Sequence, residues 1–334
     1  MDQTPMSAQL LIQGWLHLRH RSLGPRPWLL LAAIPLGGLL LLAPANQGQA
    51  AATSRSQILR INGHAGKTNG VLRQGPLVVT VRRELQERVG SKQFQAAVAR
   101  VRVHGRVVGQ LEGSGSEGGP SAVVQLAEMD PSNPYPEVYL SSYSFGAHCC
   151  NYVQVLSSNR RGTAWRLVTL KQSLDGGAEP AQDPLGNGRY LVVSYDTRFL
   201  YHFDCYACSH PPRRIWQLQG DRFVDISHRP EMRPLHRQRL QQMAAWFRRR
   251  EKGSSYGFLA GYVATKARLG QLREAWSILL QRYDRHSEWE LSDCRGEWDA
   301  RGRCRGRELV YRSFPEALYA FLVETGYIRS GTRL

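Results

Sequence analysis

Six cysteines and the histidines beside them are the residues of this chain best equipped for chemistry. Cys205-Tyr-Ala-Cys208 has the spacing of a dithiol redox motif. His148-Cys149-Cys150, together with His202 and His210, adds the ligand types that hold zinc or form a thiolate–imidazole pair. Two features oppose those readings. Redox motifs use a helix N-terminus to lower the thiol pKa, and the Ser209-His210-Pro211-Pro212 that follows here cannot continue a helix. The C-x2-C also lacks a second C-x2-C or H-x3-H at a finger-like spacing. Structural disulfides are therefore the leading expectation. Cys294 and Cys304 bracket a polar loop rich in arginine and glycine and are expected to pair. Pairing among Cys149, Cys150, Cys205 and Cys208 stays open, because neighbours in a strand point to opposite faces and several connectivities fit.

The surroundings of these residues favour oxidation. Arg19, Arg21 and Arg26 precede an apolar run of 16 residues from Trp28 to Ala43, and small residues follow up to Ala52. Basic flank, apolar core and small-residue exit make a secretory signal over residues 1–52. The run contains Pro35 and Gly37-Gly38 and falls short of the roughly 20 residues a spanning helix wants. Export to the periplasm or beyond is expected, with a membrane tether only if the leader stays uncleaved.

The chain carries 44 basic and 27 acidic residues, a net charge of +17, and all but five of its cations are arginine. The leader holds three arginines and one aspartate, so +15 belongs to the remainder. Such charge favours anionic partners. Nucleic acid is disfavoured by export and by the lack of any reading motif. The one dense run, Arg248-Arg-Arg250, closes a predicted helix, where cations suit the dipole. No G-x-S-x-G, H-E-x-x-H, Walker loop or dinucleotide fingerprint is present, and carboxylates are sparse, which weighs against an ordinary hydrolase.

The elements that must position these groups fall into two blocks. Residues 53–228 read as short antiparallel strands separated by Gly, Pro and Asn turns, including a hairpin at Val101–Val108 and strands at 122–126, 137–143, 152–156, 164–169, 190–195, 199–203, 215–218 and 223–226. After His228 the period becomes helical. Two helices, 255–269 and 271–284, meet at Gly270, and Ser313-Phe-Pro-Glu316 opens a last helix that stops at Gly326. The fold class is α+β: an antiparallel β-domain followed by an all-helical domain over 229–334.

Val123 to Val138, through Asp130, Asn133 and Glu137, resembles the acidic turn and strand of FG-GAP/VCBS-type repeats, the blade units of integrin-α-like β-propellers. Asp183-Pro-Leu-Gly-Asn187-Gly188 before Tyr190–Tyr195 looks like a second copy, and Ile215–Asp225 is similar to the closing strands of such a unit. The resemblance implies blade-like units at about 122–170 and 173–227. It also implies calcium on Asp183 and Asn187, or on Asp130, Asn133 and Glu137. Leu185 and Leu191 stand where the pattern wants acids, and three prolines interrupt the earlier turn. Neither turn reaches the six to eight oxygens calcium takes. A wider likeness covers Ser142–Cys150, Phe199–Phe203 and Tyr206–Pro212; it is to exported bacterial proteins of unknown function and carries no activity with it.

The expectation is thus an exported, disulfide-stabilised, non-catalytic binding or envelope-associated protein. It needs no cofactor beyond the calcium the resemblance implies, and its partner is a protein or an anionic envelope polymer. The rival is a periplasmic enzyme that gathers His148, Cys149, His202 and Cys205.

Overall fold

The computed structural model describes residues 56–334 apart from 64–65, 147, 249–254, 298, 300 and 302. The leader and Arg249-Arg250 lie outside those residues. Residues 55–334 make one compact unit, so the change of period at His228 is a change of layer within it.

A four-stranded sheet holds β2 (Gly70–Gln74), β3 (Leu77–Val89), β4 (Lys92–Val103) and β5 (Arg106–Glu112) in sequence order. The turns between them use residues with positive φ: Gly75, Gly90 and the His104-Gly105 pair, as tight hairpins require. A second sheet runs β1 (Gln57–Asn62), β6 (Ser121–Ala127), β7 (Glu137–Tyr143), β8 (Cys149–Ser158) and the two-residue β10 (Leu174–Asp175), with β9 (Trp165–Thr169) also pairing with β8. Alternation along its strands feeds two cores. Val124, Leu126, Val138, Leu140 and Leu156 meet Leu77, Val79, Val81, Ala99 and Val101 of the first sheet. Tyr139, Val153, Val155 and Val168 face the other way. There they meet Val192, Trp216 and Leu218 of a third sheet, β11 (Val192–Tyr195), β12 (Arg213–Gln219) and β13 (Arg222–Asp225). Because the middle sheet is covered on both faces, β6 and β7 read as almost unbroken buried runs.

The third sheet's outer residues, Val193, Ile215 and Ile226, pack on Met232 and Leu235. Leu235 opens helix α1 (Arg233–Arg248), and α2 (Tyr256–Arg268), α3 (Leu272–Arg282) and α4 (Phe314–Glu324) follow. Ser255 Oγ accepts from Phe258 N at 3.2 Å, which starts α2. Ser313 Oγ caps Glu316 N, and Glu316 Oε2 accepts from Arg312 N, which starts α4. Phe258, Leu259 and Val263 pack with Ala275, Trp276 and Leu279 in one core with Phe314, Leu318 and Leu322. Among the described residues no helix is long and apolar enough to cross a membrane.

Two expectations need correcting. Phe199–Phe203 is not a strand: Thr197–Phe199 is a 3-10 turn capped by Asp196, and it drives Phe199 and Phe203 into the helical core. Residues 229–334 are not wholly helical, since β14 (Ser292–Arg295) and β15 (Arg307–Val310) form a hairpin there. The two stretches likened to blades do not form equivalent sheets. The first supplies β6 to β9 of the six-stranded sheet, the second supplies that sheet's β10 and the whole three-stranded sheet, and no sheet among the described residues closes.

Candidate functional site

The segment between β11 and β12 carries most of the reactive residue types. It leaves the third sheet at Asp196, passes through the turn at Thr197–Phe199, and makes a second 3-10 turn at Tyr206–Cys208 before Arg213 starts β12. Cys205 and Cys208 are bonded to each other. The Asp204 carboxylate lies within 4.8 Å of both sulfurs, but two sulfurs already bonded to each other are not thiolate ligands. Asp204 instead accepts from Cys205 N at 2.8 Å and from Gly257 N at 3.3 Å, which docks the segment on the first turn of α2.

Above this turn lies a set of aromatic rings. His148 stacks on Tyr206 at 3.8 Å between centroids, and Tyr201 lies 5.6 Å from Tyr206. Tyr206 donates its hydroxyl to Asp175 of β10 at 2.9 Å, and partial burial, followed by this contact, pushes its pKa up to about 12. Tyr143 and Phe145, at the end of β7, stand 5.2 Å apart. Phe145 is 43% exposed and Tyr201 56%. Both have positive φ, 61° in each case.

His202, next to Tyr201, turns the opposite way. Its ring stacks on Phe321 of α4 at 4.3 Å, and its Nε2 lies 3.6 Å from Asp293 Oδ1. Burial lowers its pKa against the pull of Asp293 and Glu324, so the imidazole favours its neutral form. Asp293 also accepts the Tyr311 hydroxyl at 2.9 Å. The Trp289 indole donates to the His202 carbonyl at 3.3 Å. Tyr201, His202, Trp289, Glu290, Ser292 and Asp293 together line a cleft of about 310 Å³.

The sequence-predicted residues therefore separate. His148 belongs to the ring stack with Tyr206, and His202 belongs to the cleft with Asp293. Cys205 spends its sulfur on Cys208 and is no nucleophile in this state. Cys149 begins β8, and Cys150 is disulfide-bonded. Cys294 and Cys304 are bonded to each other and close the loop beside the β14–β15 hairpin. His210 is buried against Phe258 at 5.5 Å.

The two acidic turns use their oxygens locally. Asp183 accepts from Asn187 N at 3.1 Å and Gly188 N at 2.9 Å. Asp130 accepts from Ser132 N, and Asn133 donates to Glu137 Oε1 at 2.6 Å. Glu137 is fully buried and also accepts from Met129 N, Asp130 N and Ser157 Oγ. Such side-chain-to-backbone bonds are those of tight turns.

Tyr201, Asp175, Trp289, Asp293 and Tyr311 were not singled out in the sequence. Of these, Tyr201 alone lies within the aromatic-rich stretch from Tyr195 to Tyr206.

Residues 236–326 match the family described as the sll0997 C-terminal domain. The chain is 38% identical over 271 residues to the "Probable thylakoid lumen protein sll0997" of Synechocystis sp., an alignment covering 80% of this chain and 78% of that protein. It is 35% identical over 223 residues to the "Uncharacterized protein y4bJ" of Sinorhizobium fredii, covering 65% of this chain and 34% of that longer one. No solved structure matches. With that identity over four fifths of this chain and more than three quarters of the Synechocystis protein, the chain belongs to the sll0997 family.

Proposed function

We propose that the protein works in an exported, lumen- or periplasm-like compartment as a non-catalytic binding or envelope-associated protein, and that it engages its partner through the aromatic face around Tyr201. Its relative bears the name of a thylakoid lumen protein. The bonded pairs Cys205–Cys208 and Cys294–Cys304 suit an oxidising compartment.

One observation carries the binding reading. Among the described residues three non-glycines have positive φ: His104, Phe145 and Tyr201. His104 sits in a two-residue hairpin turn, where that conformation joins the strands. Phe145 lies in the loop that joins β7 to β8 and Tyr201 in the turn after Phe199, and both rings are exposed. A bulky residue there costs on the order of 1–3 kcal/mol, and strain of this kind collects at ligand clamps. Partner contact is the return on that cost. The arginine excess adds long-range attraction to an anionic envelope polymer or an acidic protein. The FG-GAP/VCBS likeness is then one of turn shape, and calcium is not needed for the reading.

The test is retention of the exported chain on its host's washed envelope or membrane fraction. The unaltered chain should be retained, and Phe145→Gly with Tyr201→Gly should release it, because glycine keeps the backbone and deletes the rings. Equal retention of this double variant refutes the reading.

A further inference from the structure

From the cleft between Tyr201 and Trp289 we infer a carbohydrate-binding site, one that takes a neutral, hydroxyl-rich glycan. This rests on the binding function proposed above and names the ligand class of the same face.

Sugar rings present two chemistries together: apolar C–H faces that lie on aromatic rings, and a rim of hydroxyls that need acceptors and donors. The cleft offers both. Tyr201 and Trp289 are exposed at 56% and 36%, and each has one contact that orients it. Tyr201 leans on Tyr206, and the Trp289 indole is tied to the His202 carbonyl at 3.3 Å. Rigid aromatic platforms lose little entropy when a ligand covers them. Between them, His202 Nε2 and Asp293 Oδ1 are 3.6 Å apart, both partly open. A carboxylate accepts hydroxyl hydrogens and a neutral imidazole can give or take one, so a single sugar hydroxyl fits against both.

Charge decides the glycan type. Among the described residues that line the cleft, the acids are Glu290 and Asp293 and there is no lysine or arginine. A uronate or sulfated sugar placed there meets like charge, whereas neutral hydroxyls meet acceptors. Long-range attraction of the chain's arginines to anionic polymers and short-range recognition in the cleft are separable by salt. At about 310 Å³ the cleft matches the small end of ligand sites, which suits one or two sugar units of a longer chain.

The experiment uses the chain exported on its own leader, with its disulfides formed. Cellotetraose and chitotetraose serve as neutral probes and polygalacturonate as the anionic one. Binding is read by calorimetry and by tryptophan fluorescence at low and moderate salt. At least one neutral probe should bind with little salt dependence. Tyr201→Gly and Trp289→Ala should each weaken it by about tenfold or more, and Asp293→Asn by about fivefold. Tyr201→Gly should melt no lower than the parent, which separates loss of the ring from loss of fold. The inference is overturned if neither neutral probe binds, if binding survives both ring deletions, or if only polygalacturonate binds and salt abolishes it. Should the neutral probes fail while the Phe145→Gly and Tyr201→Gly variant still releases from the envelope, the glycan assignment falls and the proposed function stands. If both fail, both fall.

Discussion

The Tyr327 hydroxyl donates to Asp196 Oδ2 at 3.0 Å, joining two buried groups 131 residues apart in the chain. Asp196 is wholly buried and also takes Arg198 Nε at 2.8 Å, with Arg214 3.8 Å away. Arg214 continues to Asp225 at 2.7 Å. One carboxylate thus holds the start of the Cys205 segment, the third sheet and the end of the helical layer together. Burial and the facing Asp196 charge push the Tyr327 pKa well up, so the phenol stays a donor. Tyr327→Phe removes one of several donors and should cost about 1–3 kcal/mol. Asp196→Ala strands the tyrosine and the guanidinium groups together and should cost about 3–5 kcal/mol. Urea unfolding of both variants checks this; equal, small losses would show that the network does not couple the layers.

Gly261 should tolerate no side chain, against the ordinary preference of a helix for alanine. A Cβ there would sit 1.8 Å from the His210 carbonyl oxygen, and at Gly257 one would sit 2.6 Å from that of Cys208. These glycines let α2 lie directly on the 204–211 backbone. In an exposed helix Gly→Ala gains about 1 kcal/mol. Here the clash is with backbone, which cannot rotate away, so Gly261→Ala should lose about 3 kcal/mol or more. Melting temperature gives the sign: a rise would mean that the segment and helix are not in contact.

Helix ends were the most legible part of the sequence, because the signals are local: Ser255 and Ser313 as caps, Gly270 and Gly326 as stops. Strand β7 was legible to the residue, Glu137 to Tyr143, between Pro136 and a turn. What was hidden depends on distant partners. Phe199 and Phe203 have the composition of a strand, yet their rings are claimed by Phe321, Tyr327 and Phe314, over a hundred residues on. Phe145 and Tyr201 carry no sequence mark of positive φ, since glycine or asparagine is the usual sign. Trp289 and Asp293 read as a polar loop because the hairpin that orients Asp293 pairs across an eleven-residue connection braced by Cys294–Cys304.

That closure predicts a measurable stability. The bond spans ten positions, which on the chain-entropy model stabilises by about 3 kcal/mol. Cys294→Ser with Cys304→Ser should lower stability by that order and also loosen Asp293, weakening the cleft without touching its lining. Denaturation of the double variant beside the parent tests the first part. A change below about 0.5 kcal/mol would mean the hairpin holds the loop without the bond.

Glu128 should make the fold respond to pH. Burial first, then the charges of Glu137 and Asp130, raise its pKa from 4.5 to about 7, with Arg189 opposing. Its Oε1 is shielded from water and accepts no hydrogen bond. A carboxyl whose pKa is raised on folding favours the folded state while both states are protonated. That contribution is full below pH 4.5 and disappears as pH climbs through 7. Buried His236 acts in the opposite sense: burial lowers its pKa, so its contribution is full above 6.5 and is lost as pH falls from there through its lower folded value. The total curve therefore mixes both signs, but the difference between Glu128→Gln and the parent isolates the carboxylate. That difference should be near zero at pH 4.5 and grow to about 1–2 kcal/mol in favour of the glutamine above pH 7, a magnitude discounted because Glu128 is only half buried. Chemical denaturation at several pH values gives the curve directly. A difference independent of pH would show that Glu128 ionises normally and that Arg189 alone neutralises it.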